Sequence, residues 1–172
     1  MEKAVFLDRD GVINEVLTRR VKFVNRPDQF YLLDKVGEAV KLLNDKGFLV
    51  FVVTNQGGVG LGYMSEHALQ EVHKEMTKQI AEKGGVIHET ISCTHTPGSG
   101  CSCRKPEPGM ILMLALKHNV DLSRSYMIGD READIAAGRS AGTTVLYIGD
   151  QPDLGDAQFA SLWEASHWIA ER

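Results

Sequence analysis

The stretch AVFLDRDGVIN, residues 4–14, decides the fold of this chain. It begins with four consecutive apolar residues, which is the pattern of a strand buried on both faces of a parallel sheet. The apolar run stops at Asp8, and two positions later Asp10 is followed by Gly11. Glycine allows the backbone to turn sharply, so both carboxylates are predicted at the carboxyl end of a buried first strand.

Outward from that strand, apolar β-rich runs alternate with helical patterns along the rest of the chain. Further strands are predicted at residues 48–53, 86–93, 125–128 and 143–148, and helices at about 34–47, 65–80, 108–119, 132–139 and 159–169. This alternation predicts an α/β fold: a doubly wound parallel sheet with helices on both faces, and residues 1–172 in a single domain.

Side-chain chemistry and helical spacing also predict details of the helices. Asp34 and Ser65 stand where N-cap side chains are expected. In the helix at 108–119, the positions expected to face inward are Ile111, Leu112, Ala115 and Leu116.

Composition and charge limit the possible partners. The 172 residues carry a net charge of −4 and a pI near 5.9, which argues against a nucleic-acid partner because binding a phosphate backbone requires a basic face. No run approaches the roughly 20 apolar residues of a membrane span, and residues 1–7 are too short for a secretory signal. We therefore expect a cytoplasmic protein with a small-molecule partner and with neither nucleic-acid nor membrane partners.

Polar residues cluster at the predicted strand ends, where folds of this class bind ligands. Asp8 and Asp10 follow the first strand, Thr54 the second and Asp130 the fourth. The three carboxylates form a hard oxygen site suited to Mg²⁺. A phosphate approaching a carboxylate is repelled unless cations screen it, and Lys105 supplies a second cation. Together with the Thr54 hydroxyl and backbone N–H groups near residue 55, this set predicts a site for a phosphate ester.

A second cluster predicts a structural metal. Its members are Cys93, His95, Cys101 and Cys103. Three thiolates and one imidazole fill a tetrahedral zinc site and leave no open coordination position, so this metal is expected to hold a loop together and not to perform chemistry. Arg104 and Lys105 follow directly, and we expect the loop to aim them at the strand ends.

The ordered set Asp-x-Asp-Gly, Thr, Lys, Gly-Asp resembles the haloacid dehalogenase superfamily of phosphatases. The resemblance implies that Asp8 attacks phosphorus and that Asp10 protonates the leaving oxygen and then deprotonates water. It implies that Mg²⁺ is held by the Asp8 carboxylate, the Asp10 backbone carbonyl and Asp130, and that Thr54 and Lys105 stabilise the transferring group. Asp134 is expected beside these ligands and not among them.

Residues 93–103, called the zinc loop below, together with Arg104-Lys-Pro106 resemble the corresponding segment of one subgroup of that superfamily. This subgroup contains D-glycero-D-manno-heptose 1,7-bisphosphate 7-phosphatases and histidinol-phosphate phosphatase domains. The resemblance implies a monomer without a separate cap domain. The substrate-binding residues that it suggests are Arg19, Asn55, Gln56, Gly57, Arg104 and Arg131. The chain departs from the heptose phosphatases at Arg19-Arg20-Val21, which replaces Gly-Tyr-Val, and at Leu61, which replaces Arg.

Several alternatives remain open at this point. The arginines favour a bisphosphate substrate, because a second phosphate needs cations, but histidinol phosphate or another small sugar phosphate fits the same motifs. A non-catalytic binding module is disfavoured by the intact Asp8 and Asp10, and a phosphomutase by the lack of room for a cap. The glycines at 57–62 do not fit the spacing of a dinucleotide-binding turn and follow the second strand instead of the first.

Overall fold

The computed structural model describes residues 1–172 and contains the predicted alternation of strands and helices. The strands are β1 (Lys3–Leu7), β2 (Phe48–Asn55), β3 (Glu89–Cys93), β4 (Tyr126–Gly129), β5 (Thr144–Ile148) and β6 (Ala157–Phe159). The α-helices are α1 (Val36–Asp45), α2 (Glu66–Glu82), α3 (Gly109–His118), α4 (Glu132–Ala141) and α5 (Leu162–Ala170). Short 3₁₀ helices lie at Pro27–Gln29 and Leu122–Arg124.

All six strands form one parallel sheet in the order β3-β2-β1-β4-β5-β6. The first strand is central, with Leu7 opposite Val52 of β2 and Ile128 of β4. The chain builds outward from β1 on one side and then crosses to β4 and builds outward on the other, which confirms the doubly wound sheet without a separate cap domain. The loops after β1, β2 and β4 therefore leave the sheet side by side.

Helices cover both faces of the sheet, because successive side chains of a strand point to opposite faces. Val5 and Leu7 belong to a core that includes residues of α1, α2 and α5. Ala4 and Phe6 belong to a second core with residues of α3 and α4. All four side chains are fully buried, which explains the unbroken apolar run of β1. None of the helices combines the length and apolar content needed to cross a bilayer.

The inward face of α3 differs from the prediction. Ile111 and Ala115 are buried as expected, but Leu112 is 44% exposed and Leu116 is 87% exposed. The remaining buried positions are Met110 and Leu114. Because each residue advances about 100° around a helix, a stripe centred on 110, 111, 114 and 115 leaves 112 and 116 pointing away from the sheet. In a helix that is apolar nearly all round, spacing alone does not select the buried side.

Of the two N-cap residues predicted from the sequence, one is confirmed by the structure and the other is wrong. Ser65 caps α2, with its Oγ accepting a hydrogen bond from the Ala68 N–H at 3.0 Å. The prediction that Asp34 caps the first helix is wrong: Lys35, with a φ of 60°, precedes α1, and no side chain caps it. The N-cap side chain is replaced there by a left-handed turn.

The structure also differs from the predicted bounds of the third strand and of the last helix. The third strand begins at Glu89 and not at residue 86, because the preceding residues connect α2 to the sheet edge. The three-residue β6 was not predicted, since so short a strand carries no periodicity. Phe159, expected in the last helix, belongs to β6, and α5 begins at Leu162 after its N-cap Ser161.

Candidate active site

A buried lysine joins the loops at the centre of the sheet edge. Lys105 is 4% exposed, and its Nζ lies 2.8 Å from Asp8 Oδ1, 2.6 Å from Asp134 Oδ1 and 2.9 Å from the Val53 carbonyl oxygen. An ammonium group has three donors, and all three are used here. The end of β2, the end of β1 and the start of α4 are thereby tied to one charge.

Asp130 lies directly against the turn after β1. Gly11 has a φ of 85°, and a Cβ built there would overlap the Asp130 carboxylate. Asp8, Asp130 and Asp134 each offer a carboxylate oxygen, and these oxygens lie within 4.8 Å of one another. Asp130 Oδ1 is buried without a hydrogen-bond partner. A buried carboxylate oxygen without a donor is costly unless a cation pairs with it, so this donor set fits Mg²⁺.

Asp134 has a different position from the other two carboxylates. Its Oδ1 faces Lys105, and its Oδ2 accepts a hydrogen bond from the backbone N–H of Arg131 at 3.1 Å. Both oxygens are therefore occupied by protein donors. This geometry agrees with the expectation that Asp134 stands beside the metal ligands and positions Lys105.

The electrostatics of this cluster favour a further cation. Burial raises the pKa of Asp8 to about 8, against the lowering effect of Lys105, and the nearby Asp134 and Asp130 charges add to the increase. Burial and the Asp134 charge also raise the pKa of Asp130. The carboxylates hold the pKa of Lys105 above its usual value in spite of its burial. Three carboxylates thus share one ammonium group, and a divalent cation would compensate the remaining negative charge.

Asp10 points to a second set of donors. Its Oδ1 accepts hydrogen bonds from Arg9 Nε at 3.2 Å, from Arg9 Nη2 at 2.8 Å and from Asn14 Nδ2 at 2.9 Å. Its Oδ2 accepts one from Gln56 Nε2 at 3.2 Å. Burial alone would raise the pKa of Asp10, but the Arg9 charge and these hydrogen bonds outweigh it and hold the pKa below its usual value. Arg9 and Asn14 belong to the stretch that decides the fold, but the sequence predicted no role for either.

The loop after β2 holds the remaining predicted residues. Thr54 is 1% exposed, and its Oγ1 accepts a hydrogen bond from Gln56 Nε2 at 2.8 Å. The Asn55 side chain donates to the Lys105 carbonyl oxygen and accepts from the Lys105 N–H, each at 3.0 Å. Asn55 thereby clamps the backbone of the residue whose side chain reaches Asp8.

A pocket of about 580 Å³ opens beside Asp10. The loop after β2, including Asn55, Gln56 and Gly57, forms one wall, and the segment from Phe23 to Asn25 forms another. The side chains at its mouth are apolar and more than half exposed: Phe23 at 55%, Leu61 at 54% and Tyr63 at 74%. Aromatic residues in loops carry no periodic signal, so the sequence did not indicate Phe23 or Tyr63.

The arginines predicted to bind substrate have unequal positions. Arg104 lies against Gly57, at 3.1 Å from a Cβ built there, and its Nη1 is buried without a hydrogen-bond partner. Arg131 is exposed and precedes the first turn of α4. Arg19 is exposed and does not line the pocket, while Arg20 pairs with a nearby glutamate. Neither Arg104 nor Arg19 lines the pocket, but Arg104 lies against Gly57, which does.

The four predicted zinc ligands converge in one cluster. Cys93 Sγ lies 3.0 Å from Cys103 Sγ and 3.7 Å from Cys101 Sγ, and His95 Nδ1 lies 3.1 Å from Cys103 Sγ. In a tetrahedral site with zinc–sulfur bonds of about 2.3 Å, sulfur atoms stand about 3.8 Å apart. The three cysteines are free thiols. The donor set and the Cys93–Cys101 separation therefore fit a zinc ion, directly before Arg104 and Lys105, while the Cys93 and Cys103 sulfur atoms lie closer together than in a metal-bound site.

Comparisons with known proteins extend over most of the chain. A model of the HAD-hydrolase-like family matches residues 102–151. The chain is 40% identical over 154 residues to the D-glycero-beta-D-manno-heptose-1,7-bisphosphate 7-phosphatase of Haemophilus ducreyi, covering 86% of this chain and 82% of that protein. It is 35% identical over 153 residues to the D-glycero-alpha-D-manno-heptose-1,7-bisphosphate 7-phosphatase of Photorhabdus laumondii, covering 85% and 81%. The D,D-heptose 1,7-bisphosphate phosphatase of B. bronchiseptica, solved with magnesium and phosphate, superposes with a TM-score of 0.89 at 30% identity and 98% coverage of both chains.

Proposed function

Because this chain belongs to the family of D-glycero-D-manno-heptose-1,7-bisphosphate 7-phosphatases within the haloacid dehalogenase superfamily, we propose that it removes the 7-phosphate of such a heptose bisphosphate through an aspartyl phosphate on Asp8. It is a phosphatase, as its named relatives are. The observation that carries the mechanism is the contact of Asp8 with the buried Lys105 at 2.8 Å, beside Asp130.

The proposed reaction has two steps at phosphorus. First, the ionised carboxylate of Asp8 forms a bond from one oxygen to phosphorus while the bond to the leaving oxygen breaks, and Asp10, which enters this step protonated next to the bound phosphate, gives that oxygen its proton. Second, a water oxygen bonds to phosphorus while the bond to Asp8 breaks, and Asp10 takes the proton from water. Inorganic phosphate and the dephosphorylated sugar are released, and both carboxylates return to their initial states.

The chain's own groups prepare the site for a phosphate dianion. Lys105 brings a positive charge to Asp8, and the Thr54 hydroxyl and N–H groups of the following loop serve as donors to the phosphoryl oxygens. Mg²⁺ would be held by Asp8, the Asp10 backbone carbonyl and Asp130. When bound, Mg²⁺ supplies positive charge that reduces the repulsion between the phosphate and the carboxylates.

We propose that zinc bound by Cys93, His95, Cys101 and Cys103 is structural. The cluster sits where the chain turns from β3 toward Arg104 and Lys105. A Cβ at Gly60 would lie 2.6 Å from the Thr94 carbonyl oxygen, so the zinc loop packs closely on the loop after β2. Fixing the zinc loop would therefore also fix the loop after β2, which forms one wall of the pocket.

The choice of substrate rests on the relatives, on the arginines near the site and on the aromatic residues of the pocket. A bisphosphate needs cations away from the reacting phosphate, and the buried, unpartnered Nη1 of Arg104 provides one; Arg131 and Arg19 are the further candidates. The aromatic rings of Phe23 and Tyr63 offer apolar contacts to the C–H groups of a sugar. The relatives named above act on different anomers, so the preferred anomer is left to experiment.

We also propose that residues 1–172 act as a single domain and as a monomer in the cytoplasm. A reducing compartment keeps three clustered thiols available for zinc and prevents disulfides.

The mechanism is tested with Asp8→Asn, which removes the nucleophile and leaves a group of similar shape. We expect kcat for p-nitrophenyl phosphate to fall by more than about 1,000-fold, because Asp134 is paired with Lys105 and Asp130 would hold Mg²⁺, so neither carboxylate can replace Asp8. The matched control is Asp28→Asn, whose side chain is exposed and lies outside the pocket. An Asp8→Asn variant with wild-type rates would refute the mechanism.

The substrate is tested by comparing kcat/KM for both anomers of the heptose bisphosphate with that for histidinol phosphate. We expect one heptose anomer to exceed histidinol phosphate by at least about 100-fold, since a charged pair that binds the second phosphate contributes about 3 kcal/mol. A preference for histidinol phosphate would assign the chain to that substrate instead.

A further inference from the structure

Arg9 is a fully buried cation with no role in the reaction as described above. Its side chain is 0% exposed, although it lies between Asp8 and Asp10 at the edge of the sheet. Taking a guanidinium group out of water is costly unless its N–H groups find acceptors. Two of its nitrogens, Nε and Nη2, bind Asp10 Oδ1. Arg9 therefore depends on its acceptors for its position, and Asp10 is one of them.

The third nitrogen of Arg9 meets a histidine of the neighbouring helix. Arg9 Nη1 lies 3.0 Å from Nε2 of His73, which belongs to α2. Burial, together with the Arg9 charge, lowers the pKa of His73 to about 3, so the imidazole is neutral. A neutral imidazole with its proton on Nδ1 accepts a hydrogen bond at Nε2. His73 thus occupies one edge of the guanidinium group and directs another edge toward Asp10.

This chain of contacts ends at the pocket. Asp10 carries donors on both oxygens, from Arg9 and Asn14 on one and from Gln56 on the other. Of the three residues that donate to Asp10, only Arg9 also contacts a helix, through His73 of α2. Asn14 lies in a loop outside the regular elements, and so does Gln56. A group that transfers a proton must lie within hydrogen-bond reach of the reacting oxygen, and a displacement of about 1 Å can reduce the rate about 100-fold.

We propose that Arg9 and His73 are positioning residues, with His73 acting through Arg9 to hold the Asp10 carboxylate toward the leaving oxygen and the attacking water. This inference rests on the proposed function of Asp10. It assigns a role to helix α2, which supplies no group to the chemistry. His73 touches neither substrate nor metal in this role.

The test compares reaction steps that need proton transfer by Asp10 with a step that does not need it. Breaking the bond to an alkyl oxygen requires protonation of that oxygen, whereas a nitrophenolate leaves without a proton. Hydrolysis of the aspartyl phosphate needs Asp10 as a base for either ester. Loss of positioning should therefore lower kcat/KM for an alkyl ester, spare kcat/KM for an aryl ester and slow the second step for both.

The main variant is His73→Leu, which roughly keeps volume and removes the acceptor. We expect its kcat/KM for the heptose bisphosphate, and for glucose 6-phosphate as a second alkyl ester, to fall about 10- to 100-fold. For p-nitrophenyl phosphate, kcat/KM should change less than about 3-fold, while a pre-steady-state burst of nitrophenolate should appear. His73→Gln, whose amide oxygen can accept the Arg9 hydrogen bond, should restore the alkyl rates. The matched control is His67→Leu, at an exposed position of the same helix.

Arg9→Lys provides a second route to the same result if His73→Leu does not fold. Lysine keeps the charge but lacks a planar fork that binds two partners, so the same loss for alkyl esters is expected. Equal losses for alkyl and aryl esters, or no loss in either variant, would overturn the positioning role. Absence of turnover in the wild-type protein would instead overturn the proposed function, and this inference with it.

Discussion

At the scale of single residues, two carboxylates only two positions apart have opposite electrostatic environments. Asp8 is buried with Asp130 and Asp134, and its pKa is raised, while Asp10 is paired with Arg9, and its pKa is lowered. Attack requires an ionised Asp8 and proton donation requires a protonated Asp10, so in the free chain these shifts are the reverse of what the two roles need. A bound phosphate dianion would raise the pKa of Asp10. The Lys105 charge and a bound Mg²⁺ would keep Asp8 ionised for attack.

The buried His73 predicts a pH dependence of stability. Its pKa is lowered from 6.5 to about 3 in the folded chain, so between these values the unfolded state binds a proton that the folded state does not. Stability contributed by His73 is therefore complete above pH 6.5 and is lost as the pH falls toward 3. We expect the free energy of unfolding to fall by about 1–2 kcal/mol between pH 6.5 and 5, relative to His73→Gln.

Urea denaturation at several pH values measures this difference. Other groups titrate equally in the wild type and the variant, so subtracting the two curves isolates His73. A His67→Gln variant should follow the wild type. Parallel curves for the wild type and His73→Gln would show that the His73 ring is not held neutral by burial.

At the scale of elements, the turn after β1 and the face of α3 show how the backbone places side chains. The turn brings Gly11 against Asp130, and its φ of 85° is one that L-residues rarely adopt. Helix α3 buries Leu114 under the sheet and leaves Leu116 in solvent. Both placements can be tested by comparing a substitution at the site with a matched control substitution elsewhere.

Gly11→Ala is expected to impair catalysis as well as folding. The added methyl group must displace the Asp130 carboxylate, and we expect kcat to fall at least about 100-fold, with a higher Mg²⁺ requirement. Gly142→Ala is the control, because Gly142 also has a positive φ, of 96°, but no atom lies within 4 Å of the added group. Both variants should lose about 1 kcal/mol of stability from backbone strain. Equal activities in the two variants would contradict the placement of Asp130 against the turn.

The two leucines of α3 provide a prediction about stability alone. Leu114→Ala removes a fully buried side chain and should lower the free energy of unfolding by about 2–5 kcal/mol. Leu116→Ala should change it by less than about 0.5 kcal/mol, because the side chain is 87% exposed. Thermal or urea denaturation of both variants measures these changes. A similar loss of unfolding free energy in each would mean that the outer face of α3 is covered in solution.

At the scale of the whole molecule, the site exists because distant segments meet at one sheet edge. The sheet order places β1 between β2 and β4, so residues near positions 8, 54 and 130 become neighbours. The zinc loop adds residues near position 105 from a long connection between β3 and α3. Since this connection has little regular structure, its order should depend on the metal.

Removal of zinc is expected to affect activity through structure. A strong chelator, or Cys101→Ser, should lower the melting temperature and abolish turnover, and zinc together with Mg²⁺, but not Mg²⁺ alone, should restore the chelated protein. A weak chelator should remove only Mg²⁺, so that activity is lost without a change in melting temperature and returns when Mg²⁺ is added. Elemental analysis should find a single zinc ion per chain, with Ser102→Ala as the control within the loop. A metal-free protein that stays folded and active would contradict both metal assignments.

The sequence by itself determined the local features of this protein. Apolar runs that stop at Asp8, at Thr54 and near Asp130 define strand ends, and parallel strands bring those ends to one edge. The candidate zinc ligands were also evident, because three cysteines and a histidine within eleven positions need only a loop to meet. These features depend on neighbouring residues, so spacing along the chain reports them directly.

Only the tertiary structure decided which side chains from distant segments pair with one another. Arg9 and His73 are 64 positions apart, and His73 belongs to no motif, yet Arg9 Nη1 lies 3.0 Å from His73 Nε2. The sequence also did not indicate which side of α3 is buried or that aromatic residues stand at the mouth of the pocket. Nor did it indicate that Arg19 lies away from the pocket. The physical reason is that each depends on the packing of one element against another, and that packing is set by the shape and burial of the whole core.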